Sequence, residues 1–349
     1  MTADPDQEPR ILRGIELTPD RPVAEVATLA ESAEDAGFEA VFCSSHYNNR
    51  DPFVALSRVA AATETVQLGP GVVNPYETHP VALASGVATL DEVSDGRAVF
   101  GIGAGDRSTL ANLGIDRERP LRRILETLRV ARRLWAGERV DHDGTFRAQE
   151  AGLNFEPPGE IPIYVGAQGP DMLRMAAKYA DGTLINAAHP RDLAWASERI
   201  AEGLDERPDG RPNERPEERS DERSSFEALA FASVSVADDP EAAREAARRP
   251  VSFIAAGAPR PVLDRHDLDP ELAGDIGQAI GSGEFSRADD LVTDAMLDAF
   301  AVAGGVETVA KRLDALLSHV DGVVVAAPLG PDAARAVELA GEAFDRALA

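Results

Sequence analysis

The stretch Leu68-Gly-Pro-Gly-Val-Val-Asn-Pro-Tyr-Glu-Thr-His-Pro80 is the clearest guide to the fold, because an apolar run ends there in two glycines and three prolines. Glycine lets the backbone approach a ligand closely, and proline fixes the chain beside it. Such residues between a strand and the next helix predict a shaped loop that forms the floor of an active site. An ordinary strand-to-helix connection is the alternative.

The alternation of an apolar run with a segment of helical spacing repeats on both sides of this stretch. The first four predicted strands start roughly 26 to 32 residues apart, as expected of parallel βαβ units. Eight such units predict a (β/α)8 TIM barrel, and a doubly wound open sheet is the alternative. The predicted strands are 11–18, 40–44, 66–73, 98–103, 163–166, 183–186, 229–236 and 322–326. The predicted helices are 23–36, 53–63, 81–93, 121–135, 171–180, 193–204, 306–317 and 332–347.

We expect residues 1–349 to form a single barrel domain with three irregular segments. Residues 139–156 are expected to be a loop with a hairpin. Residues 205–225 are rich in Asp, Glu, Arg, Pro and Ser, which is typical of an exposed insert without a packed core. Residues 240–300 are long for a single crossover and predict a helical excursion that covers one end of the domain before the last strand.

The composition is strongly acidic, with 61 acidic and 35 basic residues and a net charge of −26. We therefore expect neither nucleic acid nor an anionic membrane surface as a partner, since both require a basic surface. Lys178 and Lys311 are the only lysines. A dense acidic surface with so few lysines indicates adaptation to high salt, where counterions screen self-repulsion; an ordinary acidic cytosolic protein is the alternative.

The sequence carries no signal for a disulfide, a metal site or a membrane segment. Cys43 is the single cysteine, which excludes an intrachain disulfide, and we expect it to be a buried strand thiol. The six histidines show no spacing typical of metal ligands. The N-terminus lacks an apolar signal core, and no run reaches about 18 apolar residues. We expect a cytoplasmic protein whose chemistry is carried by a bound organic cofactor.

Polar residues gather where the predicted strands end, which is where TIM barrels carry their chemistry. Glu16 lies at the end of an apolar strand, and a buried carboxylate is costly unless it is partnered. Such a group can act as an acid or stabilise a cation, and a structural ion pair with an arginine is the alternative. The other polar strand ends are Ser44 to Asn49, Asn74, Gly101 to Asp106, Gly166 to Gly169, and Asn186.

Two glycine-rich segments invite different readings. Gly101, Gly103 and Gly105 resemble a dinucleotide fingerprint, but Asp106 stands where its third glycine is required, and we reject that reading. The segment from Gly166 to Gly169 is better placed to hold a phosphate, since a predicted helix follows it and points its positive end at the loop. A plain tight turn is the alternative.

Taken together, the motifs resemble those of the methylenetetrahydromethanopterin reductases of the bacterial-luciferase-like barrel superfamily. The matching runs span nearly the whole chain. They include Gly14 to Glu16, His46 to Asn49, Leu68 to Val72, Asn74 to Tyr76, Ala88 to Glu92, Gly101 to Gly103, Gly105 to Asp106, Tyr164 to Pro170, Asp181 to Gly182, Ile185 to Ala187, Phe253 to Gly257, and Gly330 to Asp332.

The resemblance implies an oxidoreductase acting on a CH–NH group, with coenzyme F420 as its cofactor. It implies hydride transfer from reduced F420 to the one-carbon bridge of a methylene-tetrahydropterin, and a homo-oligomer, either dimer or tetramer. It also implies a cis peptide bond between Gly71 and Val72, which supports the deazaflavin. Glu16 and Asp106 match the family's acids, with Glu16 as the expected proton donor.

The resemblance further implies which residues contact F420. Those expected to hold its phosphate are Gly166, Ala167, Gln168 and Gly169. Those expected to line its ring or its pocket are Ser44, His46, Gly71, Val72, Asn74, Gly103 and Asn186.

One position departs from the family pattern, since Ser45 stands where an aspartate is usual before the histidine. The change removes a negative charge from the pocket and indicates a different pterin, such as a tetrahydrofolate. The alternative functions are another F420-dependent dehydrogenase, an FMN-dependent luciferase-like monooxygenase, and a non-catalytic protein that binds or stores the coenzyme.

Overall fold

A computed structural model describes residues 11–156, 159–207 and 226–349. The strands are β1 (Leu12–Glu16), β2 (Ala40–Cys43), β3 (Gln67–Pro70), β4 (Phe100–Ile102), β5 (Val140–Asp143), β6 (Arg147–Ala151), β7 (Ile163–Ala167), β8 (Gly182–Ile185), β9 (Glu227–Val236), β10 (Val302–Gly304) and β11 (Gly322–Leu329). The helices are α1 (Val23–Asp35), α2 (Pro52–Ala62), α3 (Pro80–Val93), α4 (Arg107–Asn112), α5 (Pro120–Trp135), α6 (Pro170–Tyr179), α7 (Pro190–Asp205), α8 (Pro240–Gly257), α9 (Arg260–Arg265), α10 (Pro270–Gly281), α11 (Phe285–Asp290), α12 (Asp294–Phe300), α13 (Val306–Leu317) and α14 (Ala333–Ala347).

Eight parallel strands form the wall of a nearly closed barrel. They pair in the order β3-β2-β1-β11-β9-β8-β7-β4, and β10 pairs with β9 outside this path. Two isolated bridges, Leu68 with Ala98 and Val73 with Ile102, join β3 to β4 and close the ring. The predicted TIM barrel is therefore confirmed, and the open doubly wound sheet is wrong.

Alternate residues along each strand face opposite sides of the barrel wall. Outward-facing residues such as Ile15 and Val325 join the large apolar cluster beneath the surrounding helices. Inward-facing residues such as Leu12, Phe42 and Val324 form a separate, smaller cluster inside the barrel. This alternation decides which strand-end residues face the interior.

Several helices start at a proline, with an acidic side chain just before it. At the start of α2, Asp51 accepts hydrogen bonds from the main-chain N–H groups of Phe53 and Val54, at 2.9 and 3.1 Å. Proline at the first helical position loses no internal bond, and the aspartate satisfies N–H groups that the helix leaves unpaired. The same Asp-Pro pair opens α8 and α10.

The hairpin predicted within 139–156 is present as β5 and β6, which pair antiparallel. Glu126 on α5 fixes the hairpin's turn, since it accepts hydrogen bonds from the Thr145 main chain and hydroxyl, both at 2.7 Å. Arg122 and His142 also contact this carboxylate. Burial opposes its ionisation, but these hydrogen bonds outweigh burial and lower the pKa of Glu126 to about 2.

The predicted helical excursion at 240–300 is confirmed as five helices, α8 to α12. They enclose an apolar cluster of their own, which includes Val251, Ile276 and Met296. Arg312 on α13 links this region to the barrel, since it donates hydrogen bonds to the carbonyls of Ala188 and Asp298, at 3.0 and 2.8 Å. The short elements α4 and β10 were not predicted.

The single cysteine, Cys43, is buried and free, as expected. Burial together with the nearby charge of Glu16 raises the pKa of its thiol. In the described parts of the chain, no helix combines the length and the apolar character needed to span a membrane. The predicted charged insert at 205–225 lies, from residue 208 onward, outside the described residues.

Candidate functional site

The residues predicted to bind or react come together at one end of the barrel, because all its wall strands are parallel. Glu16 ends β1 and Ser44 directly follows β2. Gly103 directly follows β4, and Gly166 lies near the end of β7. Each of these residues has the same parity along its strand as a member of the interior cluster, so all four face the inside of the barrel.

Glu16 is only 2% exposed and is held by donors from three segments of the chain. The Thr18 hydroxyl lies 2.8 and 3.1 Å from its two carboxylate oxygens. The Ser44 N–H points to Oε1 at 3.4 Å, and the Ala327 N–H to Oε2 at 3.2 Å. No arginine within the described ranges forms an ion pair with Glu16, so the described part of the structure gives no support to the alternative of a structural ion pair.

The expected cis peptide bond between Gly71 and Val72 is present. The side chain of Val72 lies across two inward-facing glycines: a Cβ atom built on Gly103 or Gly166 would be 2.6 or 3.3 Å from Val72 Cγ2. A Cβ atom on Gly71 would be 2.9 Å from Phe42 Cβ, within the barrel interior. Residues 71 and 72 therefore lie against the interior cluster, and their role as the floor of an active site stays a prediction.

Asn74 is 5% exposed, and its amide is used within its own loop. Its Nδ2 donates to Glu77 at 2.7 Å, and its Oδ1 accepts from the N–H groups of Tyr76 and Glu77, at 3.1 and 3.0 Å. The side chain thus fixes the turn that follows the floor. Contact between Asn74 and a cofactor ring stays a prediction.

Asp106 is exposed and caps the N-terminus of α4, a role that the sequence did not predict. Its Oδ1 accepts hydrogen bonds from the Thr109 N–H at 2.8 Å and from the Ser108 hydroxyl at 2.5 Å. Burial opposes ionisation, but these hydrogen bonds outweigh it and lower the pKa of Asp106. Asp106 is therefore a fixed negative charge at the rim, outside the enclosed position of Glu16.

The segment from Gly166 to Gly169 leads into α6, and the N-terminus of that helix is open. Gly169 caps the helix without a side-chain hydrogen bond, and a Cβ atom built on it would meet no atom within 4 Å. Gln168 is exposed and lies beside Asn186, with its Nε2 3.5 Å from the Asn186 carbonyl oxygen. Unpaired N–H groups at a helix start suit a phosphate.

A second feature that suits a ligand is the Ser44 hydroxyl. Its Oγ is buried, and no hydrogen-bond partner for it exists among the described residues. Buried polar atoms in proteins are almost always partnered, so an unpaired one at a strand end fits a ligand's polar group. His46 and Tyr47 on the same loop are exposed, and Asn112 of α4 reaches the Tyr47 hydroxyl at 3.3 Å.

Sequence reasoning missed the residues that hold Glu16 in place. Thr18 lies two positions beyond it, and Ala327 comes from β11, whose end carries no charged side chain to attract notice. Ser233 on β9 in turn donates to the Ala327 carbonyl at 2.9 Å. Along β9, alternate residues from Leu229 to Ser233 face the barrel interior. This alternation is the signal in the sequence that could have placed Ser233 near the site.

Comparison with known proteins supports the assignment of the fold and identifies the family. The luciferase-like monooxygenase family model matches residues 7–321. The chain is 41% identical to the 5,10-methylenetetrahydromethanopterin reductase of Archaeoglobus fulgidus, covering 94% of this chain and 97% of the relative. It is 39% identical to that of Methanolobus tindarius, covering 94% and 98%.

Solved structures show the same fold. The coenzyme F420-dependent tetrahydromethanopterin reductase of Methanopyrus kandleri superposes with a TM-score of 0.85 at 36% identity, covering 95% of this chain and 97% of that one. An F420-dependent secondary alcohol dehydrogenase superposes with a TM-score of 0.76 at 20% identity, covering 97% and 99%, and shows the shared fold alone. The chain therefore belongs to the luciferase-like family and, within it, to the 5,10-methylenetetrahydromethanopterin reductases.

Proposed function

We propose that this chain is an F420-dependent reductase that converts a methylene-tetrahydropterin into its methyl form in one-carbon metabolism. The relatives that support the proposal carry this activity in their names and align along more than nine-tenths of the chain. Within the site, the proposal rests on Glu16, a buried carboxylate at the mouth of a barrel floored by Gly71 and Val72.

The described residues fit coenzyme F420. The open N-terminus of α6, with Gly166 to Gly169 before it, would hold the phosphate. The unpaired Ser44 hydroxyl would hydrogen-bond the ring system, and Val72 would support its face. When bound, reduced F420 supplies the hydride. We propose His46, Asn74, Gly103 and Asn186 as the remaining contacts.

Glu16 is the side chain that we propose to face the one-carbon bridge. Opening this bridge leaves a positive charge on the substrate and requires a proton at the departing nitrogen. A carboxyl group supplies that proton when protonated and balances the charge when ionised. Enclosure strengthens both effects, since water competes little for a group that is 2% exposed. Asp106 would add negative charge at the rim.

We propose one barrel domain from 1 to 349 that includes the helical region, and a cytoplasmic homo-oligomer, dimer or tetramer, adapted to high salt. Ser45 in place of the usual aspartate supports a folate-type pterin as a candidate substrate beside methanopterin. Neither nucleic acid nor a membrane is a proposed partner, because the net charge of −26 opposes both.

The test is a substrate panel at high salt. Purified protein is mixed with reduced F420 and with methylene-tetrahydromethanopterin or methylene-tetrahydrofolate, and F420 oxidation is followed by absorbance. Oxidation that depends on either pterin is expected. Reduction of oxidised F420 by a secondary alcohol or a sugar phosphate, without any pterin-dependent oxidation of reduced F420, would instead indicate another F420-dependent dehydrogenase, and oxygen uptake with reduced FMN would indicate a monooxygenase. F420 binding without any turnover would indicate a coenzyme-binding protein.

A further inference from the structure

We propose that Thr18 is a positioning residue for Glu16: its hydroxyl bridges both carboxylate oxygens and keeps the carboxyl group aimed into the barrel mouth. The inference rests on the proposed function, because it assigns Thr18 a part in the same site. It adds a residue that sequence reasoning did not single out.

The contact geometry carries the proposal. Thr18 Oγ1 lies 2.8 Å from Oε1 and 3.1 Å from Oε2, so one hydroxyl hydrogen is shared by both oxygens. The other two donors, the N–H groups of Ser44 and Ala327, each reach a single oxygen at longer range, 3.4 and 3.2 Å. The hydroxyl is thus the shortest contact and the only side-chain donor to this carboxylate among the described residues.

Within the described structure, the Thr18 hydroxyl forms no hydrogen bond to any group other than Glu16. Thr18 lies in the connection between β1 and α1, outside any strand or helix. A buried hydroxyl elsewhere in the wall, that of Thr183 on β8, serves the main chain, since it donates to the Val165 carbonyl at 2.8 Å. No such bond is formed by Thr18, whose hydroxyl is directed at Glu16 alone. A role in holding the reactive group therefore accounts for its placement better than a role in the fold.

The surroundings of Glu16 contain few groups that titrate. β2 contributes the buried Cys43 thiol, whose pKa is raised by burial and by the charge of Glu16, together with the neutral Ser44. β11 contributes only the Ala327 N–H. Because the Thr18 hydroxyl is the only side-chain donor to the Glu16 carboxylate among the described residues, its loss leaves the carboxyl group less firmly oriented. The proposal can therefore be tested by the vibrational spectrum of Glu16 as well as by the rate.

The test compares Thr18→Val, which keeps the side-chain shape and removes the hydroxyl, with Thr18→Ser, which restores a hydroxyl. Thr183→Val is the matched control, since it removes a buried threonine hydroxyl that does not contact the site. For Thr18→Val we expect kcat to fall about tenfold or more, as for loss of part of a general acid's action, with the KM for F420 unchanged. Thr18→Ser recovers most of kcat, and Thr183→Val keeps it.

A second readout does not require turnover. Carboxyl infrared bands of the cofactor-free protein are recorded, and the Glu16 band is identified by subtracting the Glu16→Gln spectrum. In Thr18→Val the Glu16 band should shift away from its wild-type frequency, because the hydrogen bond from the hydroxyl is lost, and Thr18→Ser should restore it. An unshifted band in Thr18→Val, or a kcat loss that Thr18→Ser fails to recover, would overturn the proposal. A wild-type protein inactive on both pterins would refute the proposed function, while the infrared result still decides the role of Thr18.

Discussion

Replacing Gly103 with alanine tests whether Val72 is the floor of the site. A Cβ atom at position 103 would lie 2.6 Å from Val72 Cγ2 and 3.7 Å from Val72 Cβ. The first distance is about 1 Å inside the usual contact of two carbon atoms. Gly166 borders the same methyl group, since a Cβ atom built on Gly166 would lie 3.3 Å from Val72 Cγ2. The valine must therefore move when Gly103 gains a side chain.

The expected cost follows from this crowding. One extra methyl group in a packed region lowers the free energy of unfolding by about 1 to 3 kcal/mol. Moving Val72 also displaces the surface that we propose to support F420. A loss of about 1.4 kcal/mol of binding free energy at this surface weakens the F420 dissociation constant about tenfold.

The assay is a double-mutant cycle with urea unfolding and with F420 titration followed by its fluorescence. Gly103→Ala should be destabilised and bind weakly, whereas Gly103→Ala with Val72→Ala should recover stability, since the clashing methyl group is gone, and should still bind weakly, since the side chain proposed to support F420 is truncated. Gly274→Ala in α10 is the control: its Cβ atom meets nothing within 4 Å, so stability should hold or rise and affinity should not change. Wild-type stability and affinity in Gly103→Ala, or no coupling to Val72, would refute the reasoning.

Three further outcomes are expected. Glu16→Gln should lower kcat by about 100-fold or more while F420 binding, measured by fluorescence, persists; an unchanged kcat would remove Glu16 from the chemistry. Glu126→Gln should destabilise the protein at neutral pH because the hydrogen bonds from Thr145, Arg122 and His142 favour the ionised form. That penalty should vanish as urea unfolding is repeated from pH 4.5 down to about 2, the interval between the ordinary and the folded pKa of Glu126. Thermal melts should show the protein, with its net charge of −26, losing stability between about 1 M KCl and low-salt buffer, and salt-independent melting would contradict the halophilic interpretation.

Much of the fold could be predicted because the signals were local. Each wall strand is an apolar run followed by a helix of apolar periodicity, and all eight predicted strands and eight predicted helices overlap observed ones. β10 escaped prediction because Val302–Gly304 is only three residues long and forms by pairing with β9. The helix α4 escaped because its start depends on the cap supplied by Asp106.

The candidate site was predictable in its location and less so in its contacts. Strand ends could be read from the sequence, so Glu16, Ser44 and Gly166 were placed at the correct edge. The hydrogen-bond partners of Glu16 could not be predicted from the sequence. Ala327 is 311 residues away in the chain and meets Glu16 only when β1 pairs with β11. The rim position of Asp106 likewise depends on the direction taken by the loop after β4, which no periodicity encodes.

The closure between β3 and β4 determines how amide hydrogens exchange around the site. β1 and β11 align over four residue pairs, whereas β3 and β4 meet at two isolated bridges that flank Gly71 and Val72. Amides held by few cooperative bonds exchange through small local openings instead of global unfolding. The N–H groups of Val73 and Gly103, which cross this seam at 3.1 and 2.9 Å, therefore serve as internal reporters whose exchange slows when a ligand covers the floor.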